Sequence, residues 1–149
     1  MIRTVIGNIV ESNETYICHQ VNCQNVMGAG VAKALYEKWP SVKVEYHNFC
    51  RKHRTPADLL GTYQLVSVDE DKRVINIFGQ LEFGRSKTTV YTDYAALEKV
   101  FAAICQLDGS FAFPHGIGCG LANGDWNIVY SLLEKYFADR DVVLYSFSK

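Results

Sequence analysis

Short, almost wholly apolar strand patterns alternate along this chain with amphipathic helical ones, and that alternation restricts the fold more than any other feature. The β-rich runs are Arg3 to Ile6, Tyr16 to Val21, Thr62 to Val68, Val74 to Phe78, Ser110 to Phe113 and Val142 to Phe147. Helical patterns occupy Val31 to Lys38, a stretch starting at Pro40 and reaching about Arg54, a segment opening at Thr92, and Trp126 to Phe137. Pro40 suits a first-turn position, and Thr92 offers a hydroxyl as N-cap. Leu97, Val100, Phe101 and Ile104 share one helical face, and Ile128, Leu132 and Leu133 are spaced for burial on the last helix. Strands this apolar must be covered on both faces. The expected fold is α/β, a three-layer α/β/α sandwich around a central mixed β-sheet. A hairpin-like pair and the final strand are expected to make the sheet mixed. Ligands of such sheets sit beyond the carboxyl ends of the strands. The segments after Val21, Phe78, Phe113 and Tyr145 are therefore the ones to inspect.

Residues 1–149 read as a single domain, since no repeat, low-complexity tract or Pro/Gly/Ser-rich linker divides them. The formal net charge is −1, from 15 Lys+Arg against 16 Asp+Glu, and 48% of the residues are hydrophobic. A domain gripping duplex nucleic acid shows a basic excess or stripe, so direct duplex binding is not expected. The cluster Arg51-Lys52-His53-Arg54 reads as cations complementing a helix C-terminus. Five cysteines, an odd number without framework spacing, indicate free thiols in a reducing compartment. The first residues run straight into a strand pattern rather than a signal peptide. No apolar run is long enough to span a membrane. A cytoplasmic monomer without cofactor is the expectation. His47-x-x-Cys50-x-x-His53 could present three metal ligands on one helical face, but no fourth ligand accompanies them. No metal site is expected.

Two glycine-bearing segments carry the chemistry. Asn22-Cys23-Gln24-Asn25-Val26-Met27-Gly28-Ala29-Gly30-Val31 follows a strand and opens a helix, whose first N–H groups and partial positive charge suit an anion. It is neither a P-loop nor a complete dinucleotide fingerprint. Pro114 to Trp126 also joins strand to helix and carries Gly116, Gly118, Gly120 and Gly124. Exposed backbone N–H groups there would form an anion-cradling nest. Two such loops at one sheet edge suit a diphosphate.

His19-x-x-Asn22 with Met27-Gly28-Ala29-Gly30-Val31-Ala32, followed by Ile117-Gly118-Cys119-Gly120-Leu121 ahead of Trp126, resembles the macrodomain family. The likeness runs from about Thr4 to Phe147. It is strongest to the branch holding terminal ADP-ribose glycohydrolases, ALC1-type modules and ADP-ribose 1''-phosphate phosphatases. Asn76-Ile77-Phe78-Gly79-Gln80, Gly84-Arg85 and Tyr91-Thr92-Asp93-Tyr94 look most like bacterial and phage members.

The resemblance implies ADP-ribose or a derivative as ligand. Gly7, Asn8 and Ile9 resemble the first-strand loop that meets adenine, with Asn8 where an Asp is usual. Asn22 resembles the distal-ribose residue. Gly28, Ala29, Gly30 and Val31 would line the distal ribose and diphosphate, and Met27 is a further ligand-binding residue. Gly116, Ile117, Gly118, Cys119, Gly120 and Leu121 would wrap the diphosphate from the other side. Tyr145 resembles the aromatic stacked on adenine, and Gln80 and His115 are further contacts.

The chain departs from the lysine-dependent glycohydrolases of this branch. Gly79-Gln80 stands where they carry a Lys, and Ala122 where an Asp follows the Gly-Cys-Gly-Leu run. Attack by a lysine is not expected. His19 and Asp125 flank the site and are the candidate acid–base pair. Cys119, inside the nest, could have a lowered pKa, although the resemblance points to its backbone. Hydrolysis of ADP-ribose 1''-phosphate to ADP-ribose and phosphate is the favoured activity. The alternatives are a non-catalytic ADP-ribose reader and a hydrolase removing ADP-ribose from a modified protein or nucleic acid. The chain shows no partner-recruiting extension, which tips the expectation towards an enzyme.

Overall fold

The computed structural model describes residues 1–147; Ser148 and Lys149, the last two residues of the expected domain, lie outside the described residues. Six strands form one sheet: β1 (Ile2–Ile6), β2 (Tyr16–Asn22), β3 (Tyr63–Asp69), β4 (Lys72–Gln80), β5 (Phe111–Pro114) and β6 (Val142–Ser146), in the order β1-β6-β5-β2-β4-β3. The helices are α1 (Gly30–Lys38), α2 (Ser41–Arg51), α3 (Pro56–Leu59), α4 (Tyr94–Ile104) and α5 (Trp126–Phe137).

Leu97, Val100, Phe101 and Ile104 of α4 pack with Val129, Leu133 and Phe137 of α5 on one face of the sheet. Leu35 of α1, Val42 and Tyr46 of α2 and Leu59 of α3 cover the other. The layers are those expected. The central strands are buried from both sides, with Ile17, Cys18, Val74, Ile75, Ile77 and Phe78 fully enclosed. This is why they read as continuous apolar runs. Among the described residues, no helix is long and apolar enough to cross a membrane.

Pairings β1–β6, β6–β5, β5–β2 and β2–β4 are parallel, and β3–β4 is antiparallel. The hairpin closing at Asp69–Lys72 thus makes the sheet mixed, while the final strand is parallel to both neighbours. Five strands consequently present their carboxyl ends at one edge, next to Gly7, Ser146, His115, Asn22 and Gln80. Three local expectations need correction. Helix α2 stops at Arg51 rather than Arg54, with Lys52 as its C-cap; Thr55, extended ahead of Pro56, then caps α3 reciprocally with Asp58. Asp93, not Thr92, caps α4, its carboxylate accepting from Ala96 N at 2.9 Å. Thr92 instead bridges to Gln80 and donates its hydroxyl to Gly118 O at 2.5 Å. On α5 the buried row is Val129, Leu133 and Phe137, and Ile128 is exposed.

Candidate functional site

A cleft of about 670 Å3 opens at the shared strand edge, between the segments that follow β2, β4 and β5. Asn22 builds its first wall. Its Oδ1 accepts from Gln24 N at 2.9 Å and from Tyr46 Oη at 3.1 Å, and its Nδ2 donates to Val26 O at 2.9 Å. The side chain expected at a ribose thus shapes the loop that leads to α1. That helix begins at Gly30 with Ala29 as N-cap and no capping side chain. Helices α4 and α5 are closed by Asp93 and Asp125, but the first N–H groups of α1 are left to the cleft, which Gly30, Val31 and Ala32 line. A helix start with free donors and the positive end of its dipole attracts an anion.

The second wall is the segment after β5. Its internal turns use the N–H groups of Ile117, Cys119, Asn123 and Gly124. Those of Gly116, Gly118, Gly120 and Leu121 donate to no group among the described residues. Gly118 sits at φ +76°, and a Cβ there would lie 3.0 Å from Gln20 Oε1 and 3.1 Å from Thr92 Oγ1. A Cβ on Gly124 would come within 2.5 Å of Gly118 O. Gly124 is therefore required by close packing against backbone and Gly118 by its left-handed φ, whereas a Cβ on Gly116 or Gly120 would face open space.

No Asp or Glu lines the cleft among the described residues, and Arg85 supplies its one formal charge. Arg85 follows Phe83 and Gly84 on a lip tied to the second wall, where Asn123 Nδ2 donates to Ser86 O at 2.7 Å and Thr89 O at 2.8 Å. The floor carries Gln20, whose Nε2 donates to Gln80 Oε1 at 2.8 Å and Thr92 Oγ1 at 3.0 Å. A side chain at Gly79 would begin 2.5 Å from Gln20 Oε1. Gln20 thus fills the space beside the strand end. Gln20 and Arg85 were not among the residues expected from the sequence; the Gly84-Arg85 pair was the signal that could have placed Arg85.

His19 also lines the floor, 2% exposed, with Nε2 2.5 Å from Asn76 Oδ1 on β4. Burial pulls its pKa down to about 4, against the opposing hydrogen bond to Asn76. It is neutral at pH 7, and the expectation of an imidazole titrating near neutrality is corrected by its burial.

Of the residues expected at a site, the cleft brings together His19, Asn22, Met27, Gly28, Ala29, Gly30, Val31, Gln80, His115, Gly116, Ile117, Gly118, Gly120 and Leu121. Gly7, Asn8, Ile9, Cys119, Asp125 and Tyr145 do not line it. Asp125 is the N-cap of α5, accepting from Asn127 N at 2.9 Å. Asn8 caps a short 3-10 turn by accepting from Val10 N at 3.2 Å, and Ile9 is buried. Tyr145 is half-buried under Gly7 and donates its hydroxyl to Glu14 Oε1 at 2.5 Å. Cys119 corrects the expectation of a lowered thiol pKa: burial, and secondarily Asp125, push it up to about 11. His47, Cys50 and His53 do not form a ligand set; among the described residues no three His, Cys, Asp or Glu side chains converge as a metal site would require.

A second cavity of about 240 Å3, lined by Ser12, Glu14 and the β3–β4 turn, holds the Lys72 ammonium. The latter donates to Ser12 O at 2.5 Å and Glu14 O at 2.9 Å.

No protein-family model matches the chain. A DNA ADP-ribosyl glycohydrolase from Mycobacterium tuberculosis is 26% identical over 149 residues, covering 97% of this chain and 42% of that protein. The chain thus spans about two-fifths of that relative's length. An ADP-ribose 1''-phosphate phosphatase from Scheffersomyces stipitis is 26% identical over 172 residues, covering 95% of this chain and 98% of that one. Among solved structures, the macrodomain of Mycobacterium tuberculosis DarG superposes with a TM-score of 0.80 at 24% identity, covering 99% of each chain.

Proposed function

The chain belongs to the macrodomain family, and from that premise we propose that it binds ADP-ribose in the cleft and hydrolyses ADP-ribose 1''-phosphate to ADP-ribose and phosphate. One observation carries the reading: the uncapped start of α1 and Gly116, Gly118, Gly120 and Leu121, whose amides are unpaired among the described residues, line the same cleft, which contains Arg85 and no carboxylate. Such a cleft holds a diphosphate by directed N–H donors rather than by bulk charge. Its volume lies within the range of small-ligand sites, roughly 300–1,000 Å3.

In the proposed reaction water adds to the terminal phosphorus, the bond from phosphorus to the sugar oxygen breaks, and that oxygen leaves with the proton that the attacking water gives up. Fixed amides and Arg85 stabilise the charge on the transferring phosphoryl group. His19 and Gln20, on the floor, carry unpaired acceptors, Nδ1 and Oε1, that can hold the water or a sugar hydroxyl. Asp125 has no part in this scheme, because it is engaged as a helix cap. Gly79-Gln80 and Ala122, which stand where a lysine-dependent glycohydrolase would carry its lysine and aspartate, argue against attack by a lysine. The same replacements favour a second reading, a macrodomain that holds ADP-ribose without turning it over.

Phosphorus NMR of the protein with ADP-ribose 1''-phosphate separates the two. Growth of inorganic phosphate alongside ADP-ribose supports the phosphatase. Broadened diphosphate signals without release support a reader. Unchanged spectra contradict both.

A further inference from the structure

A polar row crosses the otherwise apolar face of the sheet beneath α2. His19 on β2 faces Asn76 on β4, its register partner, and Asn76 faces Gln64 on β3, again its register partner. All three are buried, at 2%, 0% and 8% exposure. Gln64 Nε2 donates to the backbone carbonyl of Glu45 at 2.8 Å, and Asn76 Nδ2 donates to Gln64 Oε1 at 3.0 Å. His19 Nε2 lies 2.5 Å from Asn76 Oδ1.

The polarity of this row is forced from one end. A backbone carbonyl can only accept, so Gln64 must turn its NH2 towards Glu45. That leaves its oxygen to accept from Asn76, whose oxygen then faces the imidazole. Against an acceptor, Nε2 must carry the hydrogen. The neutral ring therefore has a bare lone pair on Nδ1. That atom is buried without a hydrogen-bond partner in the protein, although His19 lines the cleft. Leaving a buried acceptor unsatisfied is costly, which marks the position as one completed by something that enters the cleft.

We propose that Asn76 and Gln64 are positioning residues that lock His19 as its neutral Nε2–H tautomer, so that Nδ1 accepts a hydrogen bond from an O–H donor of the bound ligand or of water. His19 is then a fixed acceptor at the cleft floor and does not cycle through a charged form. Its environment agrees: no charged side chain contributes to its titration, only burial and Asn76, and α2 contributes to the row through the Glu45 carbonyl. The inference rests on the cleft being the ADP-ribose site. It also has a readout independent of that reading.

The test is nitrogen-15 NMR of the full chain with labelled histidine. Wild type should show a protonated Nε2 and a bare Nδ1 for His19, unchanged from pH 8 to pH 5.5. An Nδ1–H tautomer, averaged nitrogens, or an imidazolium in that range overturns the lock. Asn76→Asp keeps an acceptor at Nε2 but adds a negative charge, and should move His19 protonation up by about 1–3 pH units. Gln64→Leu frees the Asn76 amide to turn and should produce mixed tautomers. If either variant fails to fold, the wild-type spectrum still decides the tautomer. Adding ADP-ribose should shift the Nδ1 resonance as it gains a donor if a sugar hydroxyl is that donor. A bare Nδ1 that already carries a donor in the free protein, and stays unmoved by ADP-ribose, identifies water instead. An Nδ1 with no donor in either state, while calorimetry shows binding, overturns the acceptor role. Absence of ADP-ribose binding removes the ligand reading and the role built on it, while leaving the tautomer result as measured.

Discussion

Replacing Gly118 with alanine probes how the second wall of the cleft is held. The residue sits at φ +76°, where a non-glycine residue pays roughly 1–2 kcal/mol. Its new Cβ would also stand 3.0 Å from Gln20 Oε1 and 3.1 Å from Thr92 Oγ1. Relief would require Gln20 to shift and give up one of its two hydrogen bonds, to Gln80 or to Thr92, at about 1 kcal/mol. The expected loss is therefore about 2–3 kcal/mol, or a fall in Tm of about 4–12 °C for a domain of this size. Gly120 is the internal control: a Cβ there meets nothing within 4 Å and its φ is not in the left-handed region. Gly120→Ala should stay within about 0.5 kcal/mol of wild type. Thermal melts followed by circular dichroism, with ADP-ribose calorimetry on the same samples, give both stability and binding. A Gly118→Ala protein melting together with Gly120→Ala and wild type would refute the packing argument for this loop.

Arg85→Gln should weaken ADP-ribose binding about tenfold, the loss of a charge-assisted hydrogen bond of about 1.5 kcal/mol. It should also flatten the salt dependence of affinity; equal affinity in both proteins would remove Arg85 from the ligand. Asp125→Ala should cost about 1 kcal/mol of stability through the lost cap on α5 and leave turnover intact. A collapse of turnover at unchanged Tm would restore Asp125 to the chemistry. His19 predicts an acid-sensitive fold. Its pKa falls from 6.5 in the unfolded chain to about 4 in the buried site, so the unfolded state binds a proton first as pH drops. Stability is complete above pH 6.5 and declines towards pH 4, by on the order of 3 kcal/mol in total. Chemical denaturation between pH 7 and pH 4.5 should give a shallower decline for His19→Gln; parallel slopes would show that other groups set the acid sensitivity.

The layered fold was legible because its cause is written locally. Runs such as Val74 to Phe78 can only lie inside a doubly covered sheet, and the 3.6-residue spacing of Leu97, Val100, Phe101 and Ile104 points α4 at that sheet. Both glycine segments were legible for the same reason, as each lies between a strand pattern and a helical one. What escaped depends on partners distant in the chain. His19 looked like a group titrating near neutrality because Asn76, 57 residues away, and the burial they share cannot be read from neighbouring residues. Thr92 looked like a cap because a hydroxyl ahead of a helix usually is one, yet its oxygen serves Gly118, 26 residues on. Asp125 offered a carboxylate beside the glycine loop, and the α5 amide of Asn127 claims it. Cys119 shows that a nest of amides does not lower a thiol pKa when the sulfur is buried and an aspartate lies nearby.

Calorimetric titration of the purified chain with ADP-ribose addresses the central claim most directly. Saturable binding at one site, weakened in Arg85→Gln and kept in Asp125→Ala, is the expected result. No measurable heat or saturation at millimolar ADP-ribose would contradict the assignment of the cleft, whatever the fold it is built on.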